Sequence, residues 1–118
     1  MSVAQVGVGY WGPNLLRNFS LNKDCTVKTV VELSSERKKF VNNLYPLVHV
    51  TSDVESVFND SDIDAVIIAT PVVSHYDLAI KSLNSGKHIL VEKPMATSTD
   101  QVKEIGQLSD KKGLVAMV

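Results

Sequence analysis

The sequence is poor in cysteine, aromatic residues and net charge, and it has no long hydrophobic run. Cys25 is its sole cysteine, which excludes an internal disulfide and any cysteine-based zinc site. Lys and Arg number 12 against 13 Asp and Glu, for a net charge of −1. That balance gives no electrostatic footprint for nucleic acid or an anionic membrane. No basic stretch is interleaved with the few aromatics. The apolar runs fall far short of the roughly 20 residues that span a bilayer. Strand-like sequence begins within a few residues of Met1, so no signal peptide is expected in front of it. With the unpaired thiol, this points to a reducing, cytoplasmic setting. No His-x-x-His or carboxylate cluster suggests a metal.

At 118 residues, 44% of them apolar, the chain has room for one domain with one core. Strand-like and helix-like segments alternate. Strands are expected at Val3–Val8, Thr26–Val31, Leu47–Val50, Ala65–Ala69, His88–Val91 and Leu114–Val118. Ala65–Ala69 is continuously apolar, as a central parallel strand covered on both faces should be. Helices are expected from Pro13 to Ser20, from the candidate N-caps Ser34 and Ser35 to Leu44, and over a short stretch ending at Phe58. A further helix should begin at Pro71, with Val72, Tyr76, Ala79, Ile80 and Leu83 on one face and Gly86 as its stop. Ser52-Asp53-Val54-Glu55 and Ser98-Thr99-Asp100-Gln101 have capping-box spacing. Six strands alternating with helices predict an α/β fold, a Rossmann doubly wound parallel sheet in the order 3-2-1-4-5-6. Its ligand crevice should lie outside the carboxyl ends of strands one and four.

Gly7-Val8-Gly9-Tyr10-Trp11-Gly12 follows the first strand and opens the first helix. A glycine turn in that context cradles a pyrophosphate on backbone N–H groups and the positive end of a helix. Gly7 should make the tight turn, Gly9 should let the phosphates approach, and Gly12 should let the helix pack on the sheet. Tyr10 and Trp11 fill the variable positions beside the cofactor, where their plainest role is to cover the loop. No Gly-Lys-Ser/Thr follows, which argues against a P-loop.

Glu32 ends the second strand, twenty positions after Gly12. That is the place of the acid that accepts the ribose hydroxyls of NAD and repels the extra phosphate of NADP. NAD is therefore favoured as cofactor. Arg37, Lys38, Ser34 and Ser35 keep NADP open.

Ala69-Thr70-Pro71-Val72-Val73-Ser74-His75 follows the fourth strand, and Glu92-Lys93-Pro94 follows the fifth. With the glycine turn, these segments resemble the amino-terminal NAD(P)-binding domain of the Gfo/Idh/MocA family, which includes glucose–fructose oxidoreductase and inositol dehydrogenase. The resemblance covers the whole chain, and Glu-Lys-Pro at the end of the fifth strand is its most diagnostic part. Gly9-Tyr10-Trp11-Gly12-Pro13-Asn14 also looks like members that oxidise nucleotide-linked sugars.

The resemblance implies hydride transfer between a sugar hydroxyl carbon and nicotinamide, with Lys93 beside the reacting carbon as the catalytic residue. A lysine ammonium there can stabilise developing alkoxide charge or help move its proton. Pro94 is expected to hold a cis bond that aims Lys93 inward, with Glu92 at the cofactor. Thr70 and Pro71 should line the crevice. His75, one helical turn on, is either turned towards the cofactor or a partly exposed helix residue. In the family a second domain supplies most substrate contacts, so the chain reads as a fragment of a longer, homo-oligomeric enzyme, inactive alone. A non-catalytic NAD(P)-sensing module is the alternative; it would have no need of Lys93. A methyltransferase would share the glycine-rich loop but not Glu92-Lys93-Pro94.

Overall fold

Six parallel strands form one sheet in the order β3-β2-β1-β4-β5-β6, in a computed structural model that describes all 118 residues. The strands are β1 (Ser2–Val6), β2 (Thr26–Val31), β3 (His49–Thr51), β4 (Ala65–Ile68), β5 (His88–Val91) and β6 (Ala116–Met117). The helices are α1 (Gly12–Leu21), α2 (Ser35–Leu44), α3 (Glu55–Phe58), α4 (His75–Asn84) and α5 (Thr99–Lys112). β1 pairs with both β2 and β4. The chain runs outward from β1 to β3 and then returns to β4, which opens a crevice between the two halves.

The period of two along the strands, broken once in β2 where Lys28 is bulged out of register between Val27 and Thr29, builds two cores, one on each face. Val3, Val27, Val30 and Ile67 meet Leu16 of α1 and Val41 of α2. Ala4, Val6, Val66 and Ile68 meet Ala79 and Leu83 of α4 and Ile105 of α5. Successive residues of β4 therefore serve opposite cores, which is why the segment reads as an unbroken apolar run. Fully burying each of the larger side chains, such as Leu16, Ile67 or Leu83, stabilises by about 1.5–3 kcal/mol.

The sequence places the elements correctly and errs at their ends. The first strand stops at Val6, because the amide of Gly7 is the last to join the ladder, donating to Val31. The first helix runs from Gly12 to Leu21. The third strand begins at His49, the fourth ends at Ile68, and the sixth covers only Ala116–Met117. Pro71 opens a 3-10 turn (Val72–Ser74), and α4 begins at His75.

Of the two expected capping boxes, the one at Ser52 does not form. Ser52 Oγ instead donates to the carbonyl of Glu32, and Asp53 Oδ1 accepts the amide of Glu55. Ser98 does cap α5 by accepting the amide of Gln101. Gln101 returns its bonds one residue early, to the amide and hydroxyl of Thr97. Ser34, rather than Ser35, caps α2. Lys87, which sequence reasoning passed over, is buried, and its Nζ donates to the carbonyls of Asp60 and Ile63 in the segment before β4.

Candidate functional site

The crevice encloses about 1190 Å³ at the carboxyl ends of the strands, large beside the roughly 300–1,000 Å³ of most small-molecule pockets. The glycine turn lines one side of it. Gly7 has φ +91°, and a Cβ there would lie 2.6 Å from the carbonyl oxygen of Ala69. Only glycine fits that position, wedged between the ends of β2 and β4. Gly12 is nearly as tight, since a Cβ would sit 2.8 Å from the carbonyl oxygen of Gly7. Gly9 differs, because its nearest neighbour would be the flexible guanidinium of Arg37 at 3.8 Å. The absent side chain at Gly9 answers no crowding within the fold, and it leaves open space over the turn where a ligand must approach.

Helix α1 starts here without a side-chain cap and without an acidic residue in its first turn. By contrast, α2 and α5 each have a serine cap and an acid in the first turn. The positive end of α1 is therefore uncompensated and faces the turn, which suits a pyrophosphate.

Gln5 fastens this cradle from below. It is wholly buried on β1, and its Nε2 donates to the carbonyls of Gly7 at 2.9 Å and Gly12 at 2.8 Å. Sequence reasoning missed it, although a lone amide within an apolar strand was a signal. Its Oε1 is the one buried polar side-chain atom without a hydrogen-bond partner.

Glu32 lines the crevice and is only 7% exposed. Its carboxylate already accepts three backbone amides: Val8 on Oε2, and Leu33 and Ser34 on Oε1. An ionised carboxylate has about four acceptor sites, so one remains for a ribose hydroxyl. Arg37 and Ser34 stand in the same lining, whereas Lys38 is held by Ser52 Oγ at 2.8 Å.

The opposite wall comes from the ends of β4 and β5. Thr70, Pro71, His75, Glu92 and Lys93 line it. Ser74 Oγ donates to the carbonyl of Pro71, so the hydroxyl of Thr70 donates to Ser74 Oγ. The Lys93–Pro94 peptide is cis. His75 is 2% exposed, so it is not a partly exposed helix residue, and its ring lies between the carbonyls of Pro94 and Thr70. Of the sequence-selected residues, Gly12, Ser35, Lys38 and Pro94 lie outside the lining; the others all face the crevice. Tyr10 does not cover the loop. It is 97% exposed and Trp11 is 51% exposed, because nothing in this chain packs over them.

Residues 1–118 match the family description "Oxidoreductase family, NAD-binding Rossmann fold". The chain belongs to the Gfo/Idh/MocA family. Among Gfo/Idh/MocA-like relatives, 4-carboxy-2-hydroxymuconate-6-semialdehyde dehydrogenase of Sphingobium is 30% identical over 118 residues, covering all of this chain and 38% of the relative. The NADP(+)-dependent scyllo-inositol 2-dehydrogenase IolU of Bacillus subtilis is 29% identical over 97% of this chain and 35% of its own length. Biliverdin reductase of Synechocystis, solved with biliverdin and NADP+, superposes with a TM-score of 0.93 at 26% identity, covering 99% of this chain and 37% of that one. The chain thus spans little more than a third of these proteins. Its fold is the Rossmann fold of this family, and its cofactor is a nicotinamide adenine dinucleotide. The open turn at Gly9, the uncapped α1 and the spare acceptor of Glu32 all fit that cofactor.

Proposed function

We propose that this chain is the cofactor-binding part of an NAD(P)-dependent dehydrogenase that acts on a hydroxyl-bearing carbon of a sugar or sugar derivative, including nucleotide-linked sugars. The remaining substrate contacts come from a further domain of a longer, homo-oligomeric cytoplasmic enzyme. The observation that carries this reading is the exposed ammonium of Lys93 at the end of β5, in the same crevice as the glycine turn and Glu32. A bound nicotinamide would supply the hydride chemistry. The chain's own part is to hold the dinucleotide on the turn, to seat a ribose against Glu32, and to present Lys93 to the substrate hydroxyl.

Lys93→Ala in the complete enzyme tests it. Turnover of the sugar substrate should fall by about 10²- to 10⁴-fold, the usual scale for losing a proton-transfer group, while NADH affinity stays close to that of the parent. Near-normal turnover would refute the role of Lys93. An enzyme that reduces NAD(P)+ with none of a panel of polyols, aldoses and nucleotide sugars would refute the substrate class.

A further inference from the structure

His75 is the one histidine buried at the crevice, and the reading above leaves its ring without a task. Nδ1 lies 2.8 Å from the carbonyl oxygen of Pro94, and Nε2 lies 2.7 Å from that of Thr70. Both partners are backbone carbonyls, and a carbonyl oxygen only accepts. A neutral imidazole carries one N–H and one lone pair, so it can donate to one of these partners at most. The other nitrogen would then press a lone pair against a carbonyl at hydrogen-bond distance. Only the ring with a proton on each nitrogen donates on both sides. Both separations fall in the range of about 2.7–2.9 Å expected for charge-assisted N–H···O bonds.

The two carbonyls belong to different walls of the site. Thr70 follows β4, and Pro94 follows Lys93 after β5. We infer that His75 is a positioning residue whose doubly protonated imidazolium ties Thr70 to Pro94, and so fixes the backbone on which Lys93 is carried. The consequence for Lys93 rests on the role proposed for that residue; the tie itself does not.

The charged and titratable groups around the tie come from three sides. Glu92 and Lys93 stand on the segment after β5, and Tyr76, Asp77 and Lys81 stand on α4 itself. Glu32, Arg37 and Tyr10 line the far side of the same crevice. The segment Thr70–Ser74 contributes none. No carboxylate reaches the ring, whose two nitrogens are both taken by carbonyls. Both ring N–H groups are therefore met by peptide carbonyls alone.

The chain contains its own control. His88 Nδ1 accepts the amide of Val115 at 3.0 Å, so that nitrogen must be bare. The test is nitrogen NMR of this chain with ¹⁵N-labelled histidine at neutral pH, the His75 signals being assigned by their loss in His75→Gln. The tie predicts two protonated ring nitrogens on His75 beside one bare nitrogen on His88. It also predicts His75 ring protons that exchange about tenfold or more slowly than those of His88, as burial requires. One bare nitrogen on His75, or exchange as fast as at His88, would overturn it. A folded His75→Gln chain should show shifted resonances at Thr70 and Pro94, with β2 and β3 unmoved; unmoved resonances at both residues would equally overturn the tie. If the variant does not fold, selective assignment in the parent chain through Thr70 and Pro94 gives the same decision. The measurement needs no substrate, so its failure is distinct from failure of the proposed activity.

Discussion

The carboxylate of Glu32 accepts the backbone amide of Val8 at 2.8 Å, joining the end of β2 to the middle of the glycine turn across 24 residues of sequence. The acid proposed to receive a ribose therefore also holds the shape of the glycine turn. Its other oxygen fixes the amides of Leu33 and Ser34, so the entry to α2 depends on it too.

Glu32→Ala should accordingly have two effects. Orphaning a buried donor costs about 1–3 kcal/mol, and with three donors released the fold should lose about 2 kcal/mol or more in a denaturant titration. Measured below its unfolding transition, the variant should lose more affinity for NADH than for NADPH. Equal losses for the two cofactors would count against Glu32 as the ribose acid.

Gly7→Ala and Gly9→Ala should separate folding from binding. The first forces a side chain into φ +91° and to 2.6 Å from a backbone oxygen. Strain of about 1–3 kcal/mol adds to the cost of overpacking, so thermal unfolding should drop sharply. Gly9→Ala meets nothing nearer than Arg37 at 3.8 Å and should unfold like the parent. Its NADH affinity should nevertheless fall, because the new methyl occupies the path of the pyrophosphate. A Gly9→Ala chain that binds NADH as tightly as the parent would contradict the assigned site.

Lys87 supplies a pH signature. Burial pushes its ammonium below the ordinary value of 10.5, so the unfolded chain holds that proton more tightly than the fold does. Stability contributed through this residue must then rise with pH between the lowered value and 10.5. Lys87→Met leaves the carbonyl of Ile63 without the lysine donor and that of Asp60 with only the amide of Ile63, at a cost of about 1–3 kcal/mol. The gap between parent and variant in denaturant titrations should widen as the pH approaches 10.5. A gap that narrows over that range would contradict a buried, destabilised charge.

Much of this was legible in advance. β4 was readable because a continuous apolar run has one good home, the centre of a parallel sheet. The glycine turn was readable because Gly7, Gly9 and Gly12 sit between a strand and a helix. The three glycines look alike in sequence, yet two are demanded by packing and one is left to the ligand; only the neighbours at Ala69 and Gly7 reveal that. Gln5 and Lys87 escaped because their partners are backbone carbonyls, which carry no sequence signature. The capping box at Ser52 failed because Lys38, distant in sequence, donates to that hydroxyl oxygen, while the hydroxyl proton is drawn to the carbonyl of Glu32.

The most direct measurement is a titration of this chain with NADH. Trp11 is its only tryptophan and lines the crevice, so its emission reports occupancy of the cradle. The account predicts a saturable loss of that emission, together with a stability gain of about 2.7 kcal/mol when NADH reaches a hundred times its Kd. Unchanged emission and unchanged unfolding at every NADH concentration would contradict it.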